Sequence, residues 1–498
     1  MYKGYLTAMD AFVIDLVNGK MQWDAEAIQT LITADETSDK KEKMRQGRDY
    51  YALKQKYDDF KFNQYWGGKK EDSGEQEEYI NNAMSDEKSK NPHLWVQIEE
   101  KISFIAGKDP IIKAVDEKRQ DDLKPLINRN FYKTMRKMIG GSSAKGLEFL
   151  HPMEDEKNQF NFLIFNSIQI IPIYDTEFMR FMVGFIRYYY LEQTVDRTGS
   201  KTLVVEFWSK NGIEVYRNDN EQGQLKFVQW KDHSNIELAE DENGNFYIKD
   251  EEAGNQDPFL WDELPIIKME NNSQEITDLE AIYDKINILD KLKGRFANDV
   301  IDIKKAFFVV KGHPKADMQK FMVNLNANSA AKVHQDGDIK PIIIEIPIEA
   351  VKEAITDLEG DIHKFGRSFD SKRIDKIGGS PSGTLLNILY TPLEEKCEPS
   401  MREYDEVAQE LVNFYTTWKG IEPIEIKTEF NVTRVRNRKE EIENLNASSD
   451  VLTRKEKTEK NPYSDKNTFD DKTEELKEME AKRNSDNNNQ NINNDNEN

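Results

Sequence analysis

Cysteine is nearly absent from this chain. Its one cysteine, Cys397, excludes an internal disulfide and fits a reducing compartment; its plain reading is a small buried hydrophobe, not a catalytic thiol. Long apolar runs are missing too. IQIIPIY and FMVGFI are strand-length, so no stretch is long enough to cross a bilayer. The opening MYKGYLTAMDAFVIDLVNGKMQW has a short apolar run and early acids and is not expected to act as a signal peptide. The six histidines, His93, His151, His233, His313, His334 and His363, show no metal-ligand spacing, and His363 is expected on a solvated helix face. Gly140 to Gly146 (GGSSAKG) lacks the Gly-Lys-Ser/Thr that opens a helix after a buried strand in phosphate loops. Acids are so abundant that carboxylate pairs point nowhere. These absences leave no catalytic constellation, so neither an enzyme nor a bound cofactor or metal is expected.

The charge balance narrows the partners. With 70 basic and 93 acidic residues the formal charge is −23, which excludes a protein that coats nucleic acid over its whole surface. It is compatible with DNA passing through a channel whose acidic wall prevents sticking. At 498 residues the chain has room for about two to four domains.

Taken in order, the first ninety residues read as polar and helical, with Tyr50 and Tyr51 on a charged helix, followed by the mobile-looking GGKKEDSGEQEEYINNAMSDEKSK. Leu94, Ile98, Ile102 and Ile105 predict a helix ending at Gly107 and Pro110, and LKPLINRNFYKTMRKMIGGSSAKG predicts another, stopped by Gly140 and Gly141. From Gly146 to Asp250 the period falls to two. QFNFLIF, SIQIIPIY, MVGFIRYYYL, TLVVEFW, IEVYR, QLKFVQW and NFYIKD predict one antiparallel sheet, with hairpin signals at Asn211-Gly212 and Asn243-Gly244. With helices before it, this is an α+β domain.

After LPIIKME, Ile276, Leu279, Ile282, Ile286, Leu289, Leu292, Phe296, Val300 and Ile303 predict a rod of roughly 45 Å. A compact insert follows: strand AFFVVKG, helix ADMQKFMVNLN, strand AAKVH, a turn at Asp336-Gly337 and strand KPIIIEIP. Next, Ile348, Val351, Ile355, Leu358, Ile362 and Phe365 form a narrow seam, as when one helix packs along another. That helix delivers a loop combining Lys372, Arg373 and Lys376 with Gly378, Gly379, Pro381 and Gly383. Flexible, basic backbone suits contact with phosphates; a surface loop between two packed helices is the alternative reading of the same residues. Beyond it a helical run extends to Trp418, expected to break at Pro392 and Pro399 with a restart at Thr391-Pro392-Leu393-Glu394. PIEIKTEF is strand-like, Asn437 to Lys482 reads as a charged helical region, and SDNNNQNINNDNEN is expected to be disordered.

From about Tyr50 to Lys482 this order resembles the portal proteins of tailed bacteriophages, of the type found in long-tailed phages of Gram-positive hosts. The resemblance is carried by NPHLWVQIEEKISFIAGKDPII, FNSIQIIPIYD with GFIRYYY, LPIIKMENN leading into SQEITDLEAIYDKINILDKLKGRFANDVIDIKKAFFVVKG, SPSGTLLNILYTPLEEK, and SSDVLTRKEKTEKNPYSDKNTFDDKTEELKEME.

The resemblance implies an α+β portal fold: a wing over 1–272, stem helices over 273–304 and 347–367, and a small α/β clip over 305–346. It further implies a tunnel loop over 368–383, a tunnel-side helix over 384–420, a helical crown over 421–482 and a disordered tail over 483–498. It implies a ring of about twelve subunits at a capsid vertex, assembled in the host cytoplasm. Double-stranded DNA would be packaged, retained and ejected through that ring. The terminase large subunit, a head-completion adaptor and the major capsid and scaffolding proteins would be its partners. Lys372, Arg373 and Lys376 would touch DNA, with Gly378, Gly379 and Gly383 as hinges; steric closure of the channel by loop packing is the alternative. A helical adaptor or scaffold without DNA contact, and a nuclease or NTPase of the packaging machinery, are the competing functions.

Overall fold

The computed structural model describes residues 25–54, 88–155, 158–174, 182–192, 201–218, 223–240, 246–250, 254–302, 307–311, 338–342, 347–372, 383–432 and 438–447. They divide into two units, Met1–Ser368 with Lys396–Val432, and Phe369–Glu395 with Thr433–Asn498.

The first unit opens with helices α1 (Ala25–Glu36), α2 (Asp39–Tyr51) and α3 (His93–Ala106), strand β1 (Ile111–Ala114) and helix α4 (Arg129–Lys145). Side-chain caps start two of them: Ser38 accepts from the Lys41 amide at 3.2 Å, and Asn128 accepts from those of Asn130 at 2.8 Å and Phe131 at 3.2 Å. The strands are β2 (Leu147–Glu154), β3 (Phe160–Phe165), β4 (Ile170–Tyr174), β5 (Met182–Glu192), β6 (Lys201–Ser209), β7 (Gly212–Arg217), β8 (Lys226–Lys231), β9 (Glu237–Glu240), β10 (Phe246–Asp250), β11 (Gly254–Gln256) and β12 (Ile267–Glu270).

They form two antiparallel sheets where one was expected. An eight-stranded meander runs from β4 to β11, and a separate three-stranded sheet has the order β12-β2-β3. Alternation explains the split. Ile171, Ile173, Ile186, Tyr188, Leu203 and Val205 pack with Ile28, Leu31 and Ile32 of α1 on one face of the meander. Ile170, Phe185, Val204, Trp208, Ile213 and Val215 point to the other face and meet Leu147, Phe149 and Phe165 of the smaller sheet. Both faces being buried, strands such as TLVVEFW read as nearly continuous apolar runs. At the Asn211-Gly212 signal Ser209 pairs with Gly212, so the two-residue turn is Lys210-Asn211; β9 and β10 pair across 241–245, and the Asn243-Gly244 turn itself lies outside the described residues. Strand β1, which follows the helix end at Gly107 and Pro110, pairs with a strand near the end of this unit (Ile426–Glu429).

His151 lies where the two sheets meet, stacked 4.7 Å from Phe165 and edge-on 4.8 Å from Trp208, with Nδ1 donating to the Pro265 carbonyl at 2.7 Å. Burial pushes this imidazole down to about 4, and the bond to Pro265 offsets only part of that shift. The folded state therefore holds the ring neutral, while the unfolded chain takes up its proton below the ordinary value of 6.5. Stability from this site is complete above that value and falls as pH drops towards 4, by about 2 kcal/mol at pH 5. Urea titrations at pH 7 and pH 5 are expected to show this loss, and His151→Gln, which keeps a donor for Pro265, to lack it.

Helix α4 runs through Gly140 and Gly141, which were expected to stop it, and ends at Gly146, whose φ is +86°. The two glycines serve close approach instead. A Cβ on Gly140 would sit 3.0 Å from the Tyr51 hydroxyl, and one on Gly141 would run into the Glu148 carboxylate.

After β12 comes helix α5 (Tyr283–Asp302), about 30 Å long, with strands β13 (Phe307–Lys311) and β14 (Asp338–Ile342) paired antiparallel, then helix α6 (Ile348–Phe365). The insert's middle, with its expected helix and AAKVH strand, lies outside the described residues. The rod is shorter than its apolar spacing predicts because residues 276–282 bond elsewhere. The Asp278 amide donates to the Ser143 carbonyl at 2.9 Å, and Asn271 and Asn272 side chains donate to the Ile276 carbonyl at 3.0 and 2.8 Å. Leu279, Ile282, Ile286 and Leu289 pack with Leu94, Ile98, Tyr50 and Ile362, and Ile355 and Leu358 lie against this cluster. Lys285–Asp361 at 2.9 Å and Lys293–Glu359 at 2.6 Å flank the α5–α6 contact. The seam thus holds in its middle; its ends, Ile348 and Phe365, are 43% and 47% exposed.

Helix α7 (Gly383–Lys419) is unbroken, against the expected interruption at Pro392 and Pro399. The seven-residue spacing puts both prolines on one side, half-buried and exposed. Each ring removes one N–H, but the carbonyls left over belong to Ile388 and Glu395, both exposed, where water replaces the missing donor. Strand β15 (Ile426–Glu429) closes the first unit against β1. In the second unit Leu386, Tyr390 and Leu393 of α7 are buried, and helix α8 (Arg438–Ala447) is the described part of the expected 437–482 helical region. Among the described residues no helix is long and apolar enough to cross a membrane.

Candidate functional site

The basic segment singled out in the sequence starts where α6 ends. Sequence logic assigns glycine to the left-handed position after a helix, yet here Gly366 is right-handed and Arg367 takes φ +49°. Space is the reason. A Cβ on Gly366 would overlap the Gln97 side-chain amide, whose Nε2 donates to the Ile362 carbonyl at 3.2 Å. His363, expected to be solvated, is half-buried and pairs its Nδ1 with the Ser368 hydroxyl at 2.8 Å.

In the second unit Phe369 stacks on Tyr390, 4.4 Å between ring centres, so the segment's start lies against the second turn of α7. Asp370 accepts from the Lys372 amide at 3.0 Å, and the Lys372 side chain is exposed. Gly383 is the first residue of α7. Arg373, Lys376, Gly378 and Gly379 lie outside the described residues, which hold only Lys372 and Gly383 of the six predicted site residues.

What sequence reasoning missed is a buried ionic cluster in the first unit. Lys396 Nζ lies 3.1 Å from Asp278 and donates to the Gly366 carbonyl at 2.9 Å. Lys101 lies 3.9 Å from Asp278 and donates to Asn271 Oδ1 at 2.7 Å. Burial alone would raise the Asp278 carboxyl, but the two lysines outweigh it and hold it below the usual carboxylate range. Burial lowers Lys101, with Asp278 opposing, and pushes the neighbouring Cys397 thiol up to about 12. No spacing rule reveals this cluster, because its members come from three distant stretches of a highly charged chain.

Elsewhere, a cleft of about 560 Å³ is lined by Trp261, Asp262, Glu263, Leu264, Ile266, Glu410 and Phe414 among others. Burial and then Glu406 and Glu263 raise the Glu410 carboxyl to about 7. Such an acidic wall repels a polyanion. Among the described residues no group of three or more His, Cys, Asp and Glu side chains could hold a metal ion.

The first unit is a mixed helix-and-sheet body carrying the packed α5–α6 pair, after which the basic segment follows in the chain. The family described as "Phage portal protein, SPP1 Gp6-like" matches residues 32–489, and the chain belongs to it. Portal proteins are structural, non-enzymatic assembly proteins of the phage virion, and the chain takes the portal role. The portal protein of Bacillus phage SPP1 is 23% identical over 394 residues, which cover 77% of this chain and 72% of that one. The portal protein of Clostridium phage phiCD119 is 23% identical over 318 residues, covering 60% and 64%. A solved chain from the neck of a native GTA particle, computed with C12 symmetry, is similar at 12% identity and a TM-score of 0.37, covering 74% of this chain and 88% of that one.

Proposed function

We propose that this portal protein forms a closed ring of about twelve copies whose axial bore carries double-stranded DNA into the capsid, retains it and lets it out. The observation that carries this reading is the family match across 32–489. In this assignment 1–272 is the wing, 273–304 and 347–367 the stem, 305–346 the clip, 368–383 the tunnel loop, 384–420 the tunnel-side helix and 421–482 the crown. The packed α5–α6 pair with strands β13 and β14 between them in sequence supports the stem-and-clip reading. The formal charge of −23 supports a bore that does not bind DNA along its length, with Lys372, Arg373 and Lys376 as local cationic contacts and Gly378, Gly379 and Gly383 as hinges. The terminase large subunit docks during packaging and a head-completion adaptor afterwards, while capsid and scaffolding proteins surround the ring, which assembles in the host cytoplasm. Electron micrographs of the purified protein viewed down its axis are expected to show rings with a central hole. A monomer at every concentration would overturn the proposal.

A further inference from the structure

Residues 369–395 belong to the second unit, and the first unit is joined across them by one hydrogen bond. Gly366, near the end of the first unit's long stretch, offers its carbonyl; Lys396, where that unit resumes, donates to it at 2.9 Å. Lys396 is in turn held 3.1 Å from Asp278, its own side chain only 9% exposed. Asp278 is fixed from two further directions, by Asn271 Nδ2 at 2.8 Å and by its backbone bond to Ser143 at 2.9 Å. Two buried ammonium groups thus share one carboxylate, an arrangement that costs more to desolvate than an apolar cluster of the same volume. Packing alone does not account for it. Gly366 is also the residue whose missing side chain lets α6 approach Gln97. The charge cluster and the tight approach meet at the same peptide.

We propose that Lys396 is a positioning residue: anchored on Asp278, it clasps the carbonyl of Gly366 and sets the base from which the 368–383 segment reaches DNA. This rests on the channel reading given above. The clasp ties Gly366, at the end of α6, to Lys396 on α7 within the first unit.

The one cysteine supplies a native probe, since Cys397 follows Lys396 directly and is fully buried. Maleimide labelling of the full-length protein is expected to be at least tenfold faster in Lys396→Met than in the native chain. A shallow dependence on denaturant would mark the opening as local. Gly366→Ala strains the same joint with every charge in place and is expected to act in the same direction, which covers the case where Lys396→Met does not fold. Phage carrying either variant should assemble rings yet lose retained genome. Labelling within twofold of native in the folded variants would overturn the clasp. Faster labelling with normal genome retention would overturn its positioning role. The channel reading stands or falls separately, on the loop cations themselves.

Discussion

Phage in which Lys372, Arg373 and Lys376 are all replaced by alanine are expected to form normal rings but to yield at least about tenfold fewer DNA-filled particles. Lys372 is exposed, and exposed charges contribute within about 0.5 kcal/mol to folding, so assembly is expected to be unchanged. Their effect on DNA is larger because a ring multiplies them. Each cation that neutralises a phosphate releases a counterion, so the variant's DNA contacts should lose about three units of logarithmic salt slope per engaged subunit. Deleting Gly378–Gly383 tests the hinge part of the same proposal and should block packaging with the cations still present. Lys364→Ala, which removes an exposed cation on α6 outside the segment, is the control and should behave as native. Counts of filled and empty particles, with packaged DNA measured after nuclease treatment, decide the matter. Normal filling and normal retention in the triple variant would remove DNA contact from these residues.

The largest stability effect is expected at Gly47, in the interior of α2. Judged by helix propensity alone, Gly47→Ala should stabilise by about 1 kcal/mol. The structure reverses the sign. A Cβ at this position would overlap the Ala144 carbonyl oxygen of α4, a backbone atom that cannot rotate away. The two helices would have to separate, disturbing the cluster that joins Tyr50, Ala144, Leu279 and Ile282. A loss of about 3 kcal/mol or more is expected, at the upper end for overpacking. Thermal and urea unfolding would measure it, and a variant as stable as native would show that the helices yield more easily than close packing allows.

How much was readable without the fold follows from the kind of signal each element carried. Helix α6 was legible from Ile348 to Phe365, because three-and-four spacing is a local property of the backbone. The strands from β4 to β8 were legible through period-two runs of branched and aromatic residues. Their division into two sheets was not, because alternation says which side chains share a face but not what covers it. The rod's true start at Tyr283 was hidden, since the backbone bond from Asp278 to Ser143 and the side-chain bonds from Asn271 and Asn272 to the Ile276 carbonyl join residues far apart or lie outside any apolar pattern. The unbroken α7 was also hidden. Proline argues against a helix interior, and only the exposure around Ile388 and Glu395 shows why two are accommodated.

The sequence by itself determined the element types, the absence of catalytic and metal-binding spacing, the burial of Cys397 as an inert thiol and the family, because each rests on local chemistry or on the order of segments along the chain. Tertiary structure alone decided that glycines at 47, 140, 141 and 366 serve close approach, that Arg367 takes the left-handed turn, and that Lys101, Asp278 and Lys396 converge, with Lys396 bonded to the Gly366 carbonyl. These depend on which atoms meet across hundreds of residues. In a chain this rich in charge, no pattern of neighbours along the backbone distinguishes the few ions that are buried from the many that face water.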